Sequence, residues 1–203
     1  MLRAGGGLGG AGTDGTATAG TDTRVAYTAD YYFYNGGGSG AWATPPGDLP
    51  AAIQVPSGVT PKIHDHAIGV LVYACTPAVG GASGAGGAGA TTYSWVFQQP
   101  DAVLYDSSFA EVGTYGQGPN WTSTVDGSVV NGVKVTGVNS TMAGAIDWLL
   151  LQATTHSGTG AFSDVTYVQR LNTAGGPAPP TGCGPTTPGM VTRVPFSADF
   201  YFF

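Results

Sequence analysis

Charge is what this chain has least of. Only 9% of its 203 residues are Asp, Glu, Lys or Arg, and the six basic residues are scattered from Arg3 to Arg193 against twelve acidic ones, for a net charge of −6. Nucleic-acid recognition needs a basic patch to neutralise phosphates, so no nucleic-acid partner is expected. Cysteine is nearly as scarce. Cys75 and Cys183 lie more than a hundred residues apart and cannot form a CxxC redox or zinc site. They read either as a disulfide made in an oxidising compartment or as two buried thiols, and the secreted-type composition favours the disulfide. Closing so long a loop contributes roughly 4 to 5 kcal/mol on the chain-entropy argument. Long apolar runs are missing too: no window reaches the length of a membrane span. Met1-Leu2-Arg3 runs straight into Gly-rich sequence with no secretory h-region. An extracellular location therefore requires an export segment outside this sequence or a route it does not display.

Helical periodicity is also lacking, apart from a short turn expected near Ala143 to Asp147. What remains is Gly, at 35 residues, with Thr, Val, Ala and aromatics. That is the profile of a strand-rich chain with many turns. Apolar runs and alternations bounded by Gly, Pro, Asn and Asp predict strands at 51–55, 66–75, 91–98, 102–106, 109–115, 120–125, 128–138, 147–154, 164–171 and 191–203. The expected fold is all-β, a sandwich or jelly roll of about eight to ten mostly antiparallel strands. Ahead of that domain, placed at 49–203, come a Gly/Ala/Thr-rich arm at 1–22, a further strand at 23–34, and a Gly- and Pro-containing linker at 35–48 that spans roughly 45 to 50 Å when stretched.

The strand at 23–34 is nearly a duplicate of the C-terminus. Thr-Arg-Val-Ala-Tyr-Thr-Ala-Asp-Tyr-Tyr-Phe-Tyr at 23–34 returns as Thr-Arg-Val-Pro-Phe-Ser-Ala-Asp-Phe-Tyr-Phe-Phe at 192–203, with seven of twelve positions identical and four of the other five exchanging Tyr for Phe or Thr for Ser. In a strand, alternate side chains share a face. Val25, Tyr27, Ala29, Tyr31 and Phe33 share one in the first copy, as Val194, Phe196, Ala198, Phe200 and Phe202 do in the second. Arg24 and Asp30, like Arg193 and Asp199, take the opposite face. Both copies are thus suited to one slot. A domain completed by its C-terminal strand has one such slot, so the N-terminal copy is surplus at home and its vacancy is expected on another molecule.

Residues capable of chemistry are few. His64-Asp65-His66 puts two imidazoles on one side of a strand, a spacing that suits a metal, but no third ligand is evident and edge histidines are the plainer reading. His156-Ser157 lacks a nucleophile elbow and reads as a turn with Gly158 and Gly160. Asp101, Asp106 and Glu111 have no identifiable partner acid. Gly84 to Gly89 satisfies GxGxxG, but it leads into a strand where a phosphate cradle needs a helix. No catalytic residue, metal or cofactor is assigned. Asn120-Trp-Thr and Asn139-Ser-Thr are glycosylation sequons, so glycans are possible partners. Thr13, Thr16, Thr18, Thr21 and Thr23 fit a threonine-rich linker, and Trp42 and Trp121 fit either core positions or exposed surfaces for a sugar or a neighbouring subunit.

From Ile146 onward the residues carry a pattern. Asp147-Trp-Leu-Leu-Leu, His156-Ser-Gly-Thr-Gly-Ala-Phe, Val168-Gln-Arg, Asn172-Thr-Ala-Gly-Gly, Thr181-Gly-Cys and the final strand resemble an uncharacterised, mostly secreted family known as domain of unknown function 3455. The resemblance covers roughly residues 49–203. It implies a β-rich secreted domain that ends in a strand like 192–203, and it supports pairing Cys75 with Cys183. It implies no activity. The duplicate strand and the Gly-rich arm depart from the family.

Three functions follow. The favoured one is a structural subunit of an extracellular or cell-surface fibre, an open homopolymer formed when each subunit inserts a terminal strand into a neighbour. The reverse polarity, with 192–203 donated, predicts the same fibre. The second is a monomeric secreted module that binds carbohydrate or another small ligand. The third, an enzyme, lacks an acid, base and nucleophile constellation and gains only if His64, His66 and His156 meet at a metal.

Overall fold

A computed structural model describes residues 44–79 and 91–203. The duplicate strand, the arm, most of the linker, Trp42 and the GxGxxG segment lie outside the described residues. Eight strands follow in chain order: β1 (Ile63–Val79), β2 (Thr91–Tyr105), β3 (Glu111–Gly116), β4 (Asn120–Ser123), β5 (Val129–Val138), β6 (Trp148–Ser157), β7 (Tyr167–Gly175) and β8 (Val191–Phe202). All pair antiparallel with their sequence neighbours, and β8 returns to pair with β1. The all-β class and antiparallel pairing match the expectation. Closure refines it, because the two layers are one continuous up-and-down sheet wrapped into a barrel.

Alternation fills the interior with Leu71, Leu104, Tyr115, Trp121, Val130, Leu151, Phe200 and Phe202. Trp121 is fully buried, which excludes the surface role considered for it. One end of the barrel is plugged by Phe162, from the β6–β7 connection, whose ring lies 4.7 Å from that of Phe202. A second, smaller core lies outside the wall: Ile53 packs with Trp148, Leu150, Leu171, Tyr201 and Phe203. With both faces covered, β6 to β8 need apolar residues in succession, as in Trp148-Leu-Leu-Leu and Phe200-Tyr-Phe-Phe.

Three expectations change. Residues 51–55 are a single 3-10 turn, Ala51–Ile53, and not a strand. Pro50 and Pro56 bracket it, and Ile53 serves as a buried peg. The pieces 91–98 and 102–106 form one strand passing through Pro100. Proline is tolerated there because β2 pairs with β3 only from Ala102 onward, so on that side no ladder bond is lost. Residues 141–144 make turns without a helix.

Candidate functional site

The barrel has two contrasting seams. The first is filled by β8. On one side it pairs with β1 from Ile63↔Phe202 to Ala74↔Val191, and on the other with β7 from Val168↔Phe202 to Gly175↔Phe196. Phe196, Ala198, Phe200 and Phe202 are all buried inside, and Val194 packs against them. Pro195 lies just beyond the last β7 pair, where its missing N–H costs nothing on that side. Gly175 makes this close approach possible. Its φ is +66°, and a Cβ there would lie 2.5 Å from the Pro195 carbonyl oxygen.

The outer face of the same strand carries a polar anchor. His66 faces Asp199 across the ladder, and His64 faces Tyr201. His66 Nδ1 lies 2.7 Å from Asp199 Oδ1, His64 Nε2 lies 3.5 Å from the same oxygen, and Asn172 Nδ2 donates to Oδ2 at 2.8 Å. A register shift after Leu171 turns Asn172 towards Asp199, with φ at +49°. Burial opposes ionisation of Asp199, yet hydrogen bonds from His64, His66 and Asn172 hold its carboxyl well below the usual range. The two histidines therefore serve a carboxylate of the terminal strand. His66 lies where β1 is paired on both sides, opposite Tyr105 and Asp199, whereas His64 precedes the first β2 pair and faces β8 alone, as an edge position does. Among the described residues no group of three or more His, Cys, Asp or Glu side chains is arranged to hold a metal. Between the histidines, Asp65 faces inward opposite Phe200, and burial pushes its carboxyl up to about 7 against the attraction of His64.

The second seam is open. The β3–β4 hairpin is short, so β2 pairs with β3 only over 102–105 and β5 pairs with β4 only over 129–131. Above the hairpin, among the described residues, Thr91–Asp101 of β2 pairs with β1 alone and Gly132–Val138 of β5 with β6 alone. Gly132 N–H reaches the Pro119 carbonyl, the last contact before the edge runs free. Val96, Phe97, Val133 and Val135 are exposed along these two edges. Between them lies a chamber of about 410 Å³ that reaches Phe97, Tyr115, Pro119, Lys134, Leu151 and Arg170.

Arg170 is the unusual residue of that chamber. It faces inward between Leu149 and Phe200, and is 9% exposed. Its Nε and Nη2 donate to the Asp147 carbonyl at 3.2 and 2.9 Å. Burial lowers its affinity for the proton, while the nearby Tyr115 phenol opposes that shift. Among the described residues no carboxylate lies within ion-pair distance of it. Sequence reading missed Arg170. The available signal was a cation at an inward position of an alternating strand, two residues from the buried Val168.

The remaining sequence candidates stay apart from both seams or border them. Cys75 and Cys183 form a disulfide with Cα atoms 5.3 Å apart. Arg193 is ion-paired with Asp101 on the surface. His156 Nε2 donates to the Val165 carbonyl at 2.7 Å, a structural tie between β6 and the start of β7. Asn120 is engaged, donating from Nδ2 to Asn131 at 2.8 Å, whereas Asn139 is exposed at the end of β5. No helix among the described residues is long and apolar enough to cross a membrane.

Neither a curated protein nor a solved structure matches this chain. A family model described as "Protein of unknown function (DUF3455)" matches residues 56–203. The match takes in all eight strands, β8 included, and leaves 23–34 outside.

Proposed function

The chain belongs to the DUF3455 family, and from that premise we propose that it is the structural subunit of an extracellular fibre, polymerising head to tail by lending a terminal strand to a neighbour. One observation carries the reading. The barrel draws all eight strands from residues 63–202, while 23–34 repeats the inward pattern and the Arg and Asp positions of β8. A segment with a buried-face pattern, lying outside the eight described strands, is suited to β-augmentation of another molecule. Such a contact is heterologous, and it propagates unless the rotation closes a ring. The Cys75–Cys183 disulfide supports an oxidising location, outside the cytosol.

Negative-stain electron microscopy with size exclusion, comparing the full chain with one lacking residues 1–34, tests this directly. Filaments or ladders in the full chain that vanish on truncation are the expected result. Two monomers would remove the fibre reading, and polymers from both would move the contact to the barrel itself.

A second reading, a monomeric small-ligand module, is favoured by the open chamber around Arg170. It requires that deleting 1–34 leave the oligomeric state unchanged. Neither reading is enzymatic. Of the two sequons, Asn139 is the one able to accept a glycan without breaking a side-chain hydrogen bond.

A further inference from the structure

We propose that the acceptor for residues 23–34 of a second copy is the free edge of β2, Thr91–Asp101, with the incoming strand lying over the Arg170 chamber and not in the seam that β8 fills. This rests on the strand-donation reading and names the surface it uses.

Three observations separate the two seams as acceptors. First, β8 already occupies its seam with both edges paired, so a donor enters there only by expelling it. Among the described residues Thr91–Asp101 has no ladder partner on its second edge, over a run close to the donor's twelve residues, so no described strand has to be expelled. Second, the open seam has room. Where the hairpin is present, β2 and β5 are three inter-strand steps apart, about 14 Å at normal spacing. One strand laid against β2 therefore leaves its side chains to reach β5 across the chamber. Phe97, half exposed and lining the chamber, is the apolar group on the β2 edge that such a strand would cover.

Third, the two copies differ in the way the two seams differ. On the inward face β8 has Phe196 and Phe200, and the N-terminal copy has Tyr27 and Tyr31. Phe200 is completely buried and Phe196 nearly so, among Tyr115, Trp121 and Phe202. Phe200 lies between the inward Asp65 and Arg170, so the contrast is carried by position 196, where the cross-strand neighbours are Gly69 and Gly175 and offer a hydroxyl no side chain. The chamber instead offers Arg170, Lys134, Gln98 and Gln117 beside its apolar wall, which is where a polar-tipped aromatic finds a partner.

Hydrogen–deuterium exchange on the full chain, dilute and assembled, tests the assignment. Amides of 91–101 are expected to gain at least tenfold protection on assembly while those of 191–202 stay as they were. Loss of protection at 191–202 with 91–101 unchanged would put the donor in the β8 seam and overturn the proposal. The variant Tyr27→Phe gives an opposite-signed readout. It weakens assembly several-fold if the hydroxyl meets the chamber, and strengthens it if the donor replaces β8. Should the full chain stay monomeric at every concentration, the fibre reading fails by itself. A synthetic 23–34 peptide added to the chain lacking 1–34 then decides the acceptor: protection confined to 91–101 keeps it, and no protection there removes it. The eight described strands all lie within 63–202, so the truncated chain retains each of them.

Discussion

The closed and open seams use the same backbone pattern to opposite ends. Around β8 every element of specification agrees: two paired edges, a buried aromatic row inside, and on the outside a carboxylate gripped by two histidines and an amide. Along the upper part of β2, among the described residues, one edge alone is paired, and beside it stands a chamber reached by Arg170, which donates to the Asp147 carbonyl. A sheet edge carrying exposed Val and Phe is a liability that most proteins blunt with charge or cover. Among the described residues no strand pairs this edge, and Lys134 and Asp101 are the charges of β5 and β2 beside it. The contrast teaches that the β8 seam is specified from both faces, whereas the other is specified over the short hairpin alone among the described residues.

Substitutions on the two sides should separate these roles. The largest effect is expected from Phe200→Ala, which empties the closed seam of its central ring and costs about 3–5 kcal/mol, read as a lower midpoint in denaturant. Cys183→Ser leaves the sheet intact but releases the loop before β8, for roughly 2–5 kcal/mol in the same assay. Asp65 adds a pH dependence. Its folded pKa of about 7 exceeds the ordinary 3.8, so the unfolded chain releases the proton first. Stability then falls as pH rises from about 4 to 7 and levels above that. Asp65→Asn should remove this slope and raise stability at pH 8 by on the order of 2–4 kcal/mol. Denaturation curves across that range would show it, and an unchanged slope would mean the carboxyl ionises freely. Asp199 has the opposite sign, since its depressed pKa stabilises above about 4 and is lost on acidification. Phe97→Ala, on the open edge, is expected to change barrel stability by less than about 1 kcal/mol while weakening any assembly through that edge. A large stability loss there would erase the distinction.

Much of this was legible in the residues. Period-two alternation located seven of the eight strands to within a few residues and identified the inward faces of 192–203, because one buried face imposes that pattern locally. Closure was not legible. Whether β8 returns to β1 depends on contacts between the two ends of the domain, and no local pattern encodes them. Residues 51–55 looked like a strand because Ala-Ala-Ile-Gln-Val is apolar, while the prolines on either side deny it a ladder. The His64-Asp65-His66 run was noticed for the right reason, two imidazoles on one face, but the partner that gives them a purpose is Asp199, 133 residues beyond His66. Arg170 was missed because a lone cation in an apolar run reads as an outward position, although alternation from Val168 sets it on the inward face.

The disulfide has a mechanical meaning. Cys75 lies at the far end of β1's contact with β8, and Cys183 stands a short run ahead of Val191. A load drawn along β8 detaches it in two ways, by unzipping it bond by bond from either end or by shearing all its bonds together. The cross-link arrests unzipping from the Val191 end, leaving only the Phe203 end, where Lys62 and Thr166 hold the final carbonyls. The redox state of the surroundings would thereby set how much tension the barrel bears before it opens.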